Sequence, residues 1–279
     1  MTERAAGARL SVRKTYKLFI GGAFPRSESG RSYVVDDTNV ALASRKDVRD
    51  AVLAARAAFR PWSAATAYNR GQILYRIAEM LEGRRAQFLA FGLDDATVDA
   101  SIDRWVWYAG WADKLAQVYG SANPVAGPYF NLSGPEPTGV VGIVAPPDSP
   151  LLGLVSVVAP AIVSGNTVVV LASEPSPLPA ITLAEVLATS DLPGGVVNLL
   201  TGRVPETGPW LASHMDVNAI DLTGVDDPAL ATSLEQAAAE NLKRVVRPPA
   251  EPVDWTVDPG IARMTPFLEV KTVWHPKGV

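Results

Sequence analysis

The chain has 279 residues, 48% hydrophobic and 19% charged, with 25 basic and 29 acidic side chains that leave a formal net charge of −4. Such a composition builds a large core and excludes a disordered, collagenous or coiled-coil chain, while the mild acidity gives nucleic acid and acidic membranes no electrostatic reason to bind. With no cysteine and two histidines, the chain has no means to make a disulfide, a thiolate nucleophile, a Cys-ligated zinc or an Fe–S cluster, and His-based metal sites are poorly supplied.

The N-terminal stretch MTERAAGARLSVRKTYKLF is polar and basic without an apolar segment. No signal peptide and a cytoplasmic location are therefore expected. Residues 16–35 alternate around Gly21-Gly22, which predicts a small antiparallel element. Val48, Val52, Ala55 and Phe59 recur at helical spacing between Lys46 and Arg60, with Ser44 placed as an N-cap. A second amphipathic helix is expected over 69–91, carrying Ile73, Leu74, Ile77, Leu81 and Phe88 on one stripe. A third, aromatic-rich helix is expected over 103–119, with Trp105, Trp107, Tyr108 and Trp111 as packing residues.

Beyond it the pattern turns to β, with runs at 128–132 and 138–144 separated by Gly134-Pro135-Glu136-Pro137, a hairpin-like signature. Apolar strands at 139–144, 167–171, 196–200 and 217–222 then alternate with helices near 150–163, 177–188, 206–213 and 228–240. This alternation predicts an α/β fold with a doubly wound, parallel, Rossmann-like sheet. The apolar stretch 151–172 is broken by Pro160 and Ser164-Gly165-Asn166 into a helix and a buried strand, so it is not a membrane span. Residues 247–266 are Pro-rich and aperiodic, a linker, and 267–274 alternate as a closing strand. No G-x-G-x-x-G, Walker A or G-x-S-x-G motif is present. His214 and His275 lack ligand spacing or a base-and-nucleophile context and read as structural or surface residues.

Taken in order, Tyr16-Lys17-Leu18-Phe19-Ile20-Gly21-Gly22, Ala54-Ala55-Arg56-Ala57-Ala58-Phe59 with Trp62, Tyr108-Ala109-Gly110-Trp111-Ala112-Asp113-Lys114, Gly139-Val140-Val141-Gly142-Ile143, Leu192-Pro193-Gly194-Gly195-Val196-Val197-Asn198, Leu222-Thr223-Gly224 and Asn241-Leu242-Lys243-Arg244-Val245 resemble the aldehyde dehydrogenase superfamily. The terminal Phe267-Leu268-Glu269-Val270-Lys271-Thr272-Val273-Trp274 is similar to that family's last strand. The resemblance implies a whole catalytic domain between Val245 and Phe267, where this chain has about twenty residues. It also implies a cysteine nucleophile, which is missing, and a general-base Glu where Pro248-Pro249-Ala250-Glu251 stands. The family's oxyanion-hole Asn corresponds to Asp148 in Pro146-Pro147-Asp148, and a carboxylate repels an oxyanion.

The cofactor positions implied by the resemblance are Pro146, Asp148, Ser173, Glu174, Gly202 and Gly224, and they read as vestigial. Leu171-Ala172-Ser173-Glu174 lacks the lysine that would share the adenosine ribose with Glu174. At the helix start where a pyrophosphate would lie, Asp226, Asp227 and Pro228 follow Gly224, and Ala229 replaces a glycine. The division implied is a Rossmann-like domain from 1–124 and 139–247, an oligomerisation flap from 125–138 and 267–279, and a linker at 248–266. The flap's interface residues are Tyr129, Phe130, Leu132, Phe267, Leu268, Val270, Thr272 and Trp274.

The resemblance is to the degenerate second module of two-module aldehyde dehydrogenases. It implies a non-catalytic accessory subunit, structural or regulatory in role, that assembles through its flap with a full-length NAD-dependent enzyme, with NAD held by that partner and neither cofactor nor metal in this chain. The other reading is a stand-alone dinucleotide-binding or sensory module that keeps weak NAD affinity.

Overall fold

The computed structural model describes residues 14–278, so most of the stretch read for a signal peptide lies outside the described residues. Near its start, strands β1 (Ser32–Val35) and β2 (Thr38–Ala41) form an antiparallel hairpin. Asp36 and Asp37 at its tip have φ of 47° and 57°, the left-handed pair that a tight hairpin turn needs. The antiparallel element expected within 16–35 is thus displaced: Gly21-Gly22 does turn the chain, with Ile20 and Ala23 exchanging 3.0 Å hydrogen bonds, but Phe19 exchanges its backbone bonds with Leu199 instead.

Helix α1 (Arg45–Ala64) begins where Asp47 reaches back to accept from the Ser44 N–H (2.7 Å) and hydroxyl (2.8 Å), half of the reciprocal arrangement of a capping box. The single helix expected over 69–91 is two, α2 (Ala67–Glu82) and α3 (Arg85–Leu89), interrupted at Gly83-Arg84. The aromatic segment is also two, α4 (Asp95–Trp111) and α5 (Leu115–Tyr119). Helix α4 starts before Asp103 because Asp94 caps it, accepting from the Thr97 N–H at 2.8 Å.

The central sheet is parallel, built from β5 (Val140–Val144), β6 (Thr167–Leu171), β7 (Val197–Leu200), β8 (Ala219–Asp221) and β9 (Arg244–Val246) in the order β7-β6-β5-β8-β9. Helices α6 (Leu152–Val163), α7 (Leu178–Leu187), α8 (Val204–Ser213) and α9 (Pro228–Ala239) alternate with the strands. Val141, Ile143, Val168 and Val170 pack toward α2, α4, α6 and α7, while Val140, Val144, Val169 and Leu171 pack toward α1, α8 and α9. Strands covered on both faces are why the sequence reads there as unbroken apolar runs. Among the described residues no helix is long and apolar enough to cross a membrane.

A second sheet has the order β10-β4-β3, from β3 (Ser121–Asn123), β4 (Tyr129–Pro137) and β10 (Leu268–Pro276). The hairpin-like reading of 128–144 is corrected here: β4 runs straight through Gly134-Pro135-Glu136-Pro137, and β5 belongs to the other sheet. The physical reason is one-sided pairing. Thr138 donates to the Phe267 carbonyl and Lys277 to the Pro128 carbonyl, so Pro135 and Pro137 fall at positions whose missing N–H would point away from β10. On that side β3 pairs only as far as Ser133, and no ladder bond is lost.

The segment joining β9 to β10 is irregular but anchored. Arg104 on α4 donates to the carbonyls of Trp255 (2.7 Å) and Val257 (2.9 Å), the Arg263 guanidinium stacks 4.7 Å from the Trp255 ring, and Met264 is buried. At the entrance to β9 the Lys243 side chain is buried beside Asn241, and burial lowers its pKa to about 8. A lysine depressed in the folded state costs stability as pH falls from its unfolded value toward 8, since the unfolded chain takes the proton first. Lys243→Met is therefore expected to stabilise the protein by about 1–3 kcal/mol at neutral pH, with the gain shrinking toward about pH 10. Urea denaturation of both proteins at the two pH values measures it.

Candidate functional site

In this sheet the chain leaves β5 in one direction through β6 and β7, then returns to add β8 and β9 on the other side. The order reverses between β5 and β8, and the crevice outside the carboxyl ends of those strands is where open α/β sheets bind ligands. Three loops converge there, at 145–148, 172–174 and 222–227. Two adjoining clefts result. One, about 170 Å³, lies between Ala172-Ser173-Glu174 and Gly224 to Asp227; the other, about 860 Å³, lies between the Pro146–Asp148 loop, the start of α9 and the 247–255 segment.

The fold brings five of the six cofactor positions to these clefts. Pro146 is buried in the wall of the larger cleft and Asp148 is exposed at its rim. Ser173 is buried and already engaged, donating to the Pro147 carbonyl (2.9 Å) and accepting from the Ser176 N–H (3.2 Å). Glu174 lies 3.6 Å from Arg203, which also holds Glu206 at 3.3 Å. Burial, with the Glu174 charge added, raises the Tyr33 hydroxyl well above its usual range. The exception is Gly202, whose φ of +142° presses it against Leu42 and Ala43, away from both clefts.

Gly224 is small for a reason unrelated to a ligand: a Cβ there would sit 2.1 Å from the Ala145 carbonyl oxygen and 2.7 Å from that of Val144. The glycine lets the β8–α9 turn close onto the end of β5, where its N–H donates to Val144 at 3.0 Å. The start of α9 is occupied by its own side chains. Asp227 caps it, accepting from the Ala229 N–H at 2.9 Å, and Pro228 contributes no N–H. Asp226 is exposed beside it. The positive end of the helix thus faces carboxylates that belong to the chain.

The larger cleft is lined by Asp148, Thr223, Asp226, Thr232, Glu235, Arg247 and Glu251 among its polar residues, with Pro248, Pro249 and Trp255 closing one side. Arg247 spans to Glu235 on α9 at 3.1 Å. Glu251 is exposed at the mouth. Neither cysteine nor histidine lines it, and among the described residues no group of three metal-ligating side chains occurs. His214 accepts from the Asp216 N–H at 3.2 Å with its pKa lowered by burial, and His275 is exposed on β10.

Two residues here escaped the sequence reading. Asp221, at the carboxyl end of β8, is buried and accepts from the backbone N–H and hydroxyl of Thr223, and burial raises its pKa; its position within an apolar strand next to a polar pair was the available signal. Trp255 was passed over inside the Pro-rich segment, although a lone tryptophan in an aperiodic stretch marks an anchor.

On the flap, Tyr129, Phe130, Leu132, Val270 and Trp274 are exposed, as is Thr272, and Tyr129 packs edge-on against Trp274 at 5.9 Å. Phe267 and Leu268 are corrected: at 2% and 8% exposure they belong to this chain's own core, Phe267 closing a 3₁₀ turn (Thr265–Phe267) before the strand begins. Apolar burial against α4, α6 and the sheet removes them from any surface.

Residues 36–247 match the family model described as the aldehyde dehydrogenase family. Similar proteins include "Aldehyde dehydrogenase, cytosolic 1" of Elephantulus edwardii, 34% identical over 82% of this chain and 49% of that protein, and "Retinal dehydrogenase 2" of Homo sapiens, 35% identical over 83% and 48%. Among solved structures, the NAD+ complex of an aldehyde dehydrogenase from Bacillus cereus superposes with a TM-score of 0.77 at 28% identity, covering 83% of this chain and 50% of that one. The chain spans about half the length of the curated relatives it matches.

Proposed function

The chain belongs to the aldehyde dehydrogenase family, and from that premise we propose that it is a non-catalytic, cytoplasmic subunit that assembles through its β4–β10 flap with a full-length NAD-dependent aldehyde dehydrogenase. The observation that carries this reading is the pairing of two features in one chain. Among the described residues the flap is a three-stranded sheet with an unpaired β10 edge and exposed apolar side chains, while the passage from β9 to β10 takes some twenty residues and the sequence contains no cysteine to attack an aldehyde.

The crevice at the switch point supports the same reading. A dinucleotide there would meet a strand end at Leu171 where the ribose needs a lysine, a helix start already capped by Asp227, and Asp226 where a phosphate would lie. These residues do not fit a diphosphate, and NAD in such an assembly sits in the partner. The role is structural: strand addition to the flap extends a sheet of the full-length chain and covers an edge that is costly to leave open.

The test is co-expression of the chain, carrying an affinity tag, with a full-length aldehyde dehydrogenase from the same source. A stable mixed complex supports the proposal. Two separate proteins, with NAD reduction by this chain alone, would sink it.

A further inference from the structure

Among the described residues the edge of β10 away from β4 is unpaired, and its backbone pattern is self-complementary. Because Phe267 and Lys277 bond to β4, the odd-numbered residues of β10 face that neighbour, and the backbone N–H and C=O groups of Val270, Thr272 and Trp274 point to the unpaired side. The run is bounded at both ends. Leu268 offers no free carbonyl, since Arg244 donates to it at 3.0 Å, and Pro276 has no N–H to offer.

We propose that β10 pairs antiparallel with β10 of a second copy of this chain, about a two-fold axis through Thr272, joining the two flaps into one continuous six-stranded sheet. In this register Thr272 faces Thr272 of the copy, and Val270 and Trp274 face each other twice. All outward backbone groups of these three residues are then satisfied, two hydrogen bonds per pair. The two deficient ends, Leu268 and Pro276, fall opposite each other, so neither wastes a partner. On one face Val270 packs against Trp274 of the copy, extending the Tyr129–Trp274 contact; on the other, Glu269 faces His275 of the copy and Lys271 faces Val273.

Slipping the pairing by one step sets Lys271 against Lys271 or strands the Val270 carbonyl opposite Pro276, and both lose what the two-fold register provides. Exposures of 65% for Val270, 52% for Val273 and 58% for Trp274 mark apolar side chains on this nine-residue strand that no other described residue covers. The inference uses this chain's edge alone and does not depend on the accessory-subunit reading. If both hold, a full-length partner adding a strand to β10 must displace the second copy, so self-pairing regulates access to the same edge.

Light scattering on the purified full chain tests it without any aldehyde dehydrogenase present. The expected mass is twice the 29.6 kDa of one chain, and Thr272→Pro, which removes an outward N–H and leaves the β4 ladder intact, is expected to weaken the dimer at least tenfold. The register is read separately by oxidation of single-cysteine variants in this cysteine-free chain. Thr272→Cys should cross-link in high yield, whereas His275→Cys, ~20 Å from its copy in this pairing, should not. A monomer at all concentrations, a dimer indifferent to Thr272→Pro, or equal cross-linking of both variants would overturn the proposal. So would capture of the edge by a full-length chain while the free chain stays monomeric.

Discussion

Replacing Gly224 with alanine is expected to destabilise the protein by about 3 kcal/mol or more, the largest single-residue effect foreseen. A methyl group there meets the Ala145 carbonyl oxygen at 2.1 Å and its carbon at 2.4 Å. These are backbone atoms at the end of a central strand, so relief requires the β8–α9 turn to lift off β5. That movement breaks the 3.0 Å bond from the Gly224 N–H to Val144 and opens the packing of Val225 against its neighbours. Gly134→Ala is the control, since nothing lies within 4 Å of a Cβ at that position in β4, and it should change stability little. Urea denaturation of the three proteins, with and without NAD, separates two meanings of Gly224. If the glycine serves strand packing, the loss is the same in both conditions; a loss seen only with NAD would restore the phosphate-contact reading.

The second large effect is a gain. Asp226→Ser/Asp227→Ser is expected to tighten NAD binding by roughly 30-fold over the unaltered chain. Each carboxylate beside a diphosphate is worth about 1 kcal/mol of repulsion at short range, so removing two contributes about 2 kcal/mol. Serine at 227 still caps α9, because its hydroxyl accepts from the same N–H that Asp227 now uses. The fold therefore survives the change. Calorimetry with NAD reads the difference directly. Tight binding by the unaltered chain would show that the acidic helix start is no barrier and would favour a dinucleotide-sensing module.

The βα series was legible because β5, β6 and β7 are buried on both faces and wrote themselves as apolar runs punctuated by turns. Strand β9 was not, since Lys243-Arg244-Val245 reads as polar and three residues carry no period; it is recruited by the exposed edge of β8. The flap was half legible. Its alternating strands were visible, but Gly134-Pro135-Glu136-Pro137 carries a strong turn signal that local chemistry cannot distinguish from a strand paired on one side only. Phe267 and Leu268 show the same limit from the other direction, as alternation assigned them to a face while the core beneath claimed them. In the crevice, the residues at 146, 148, 173, 174 and 224 were placed together by family order rather than by any local pattern. Gly202 followed the same order yet serves the packing of Leu42 and Ala43, a role that only contacts across the fold reveal.

One measurement bears on the accessory-subunit proposal most directly: light scattering combined with an NAD-reduction assay on the tagged chain co-expressed with a full-length aldehyde dehydrogenase of the same source, in which the full-length chain's nucleophilic cysteine is either intact or replaced. The proposal predicts a stable mixed complex in both cases, active with the cysteine intact and inactive without it. Aldehyde oxidation that persists after the replacement, or a chain that never enters the complex, would contradict it.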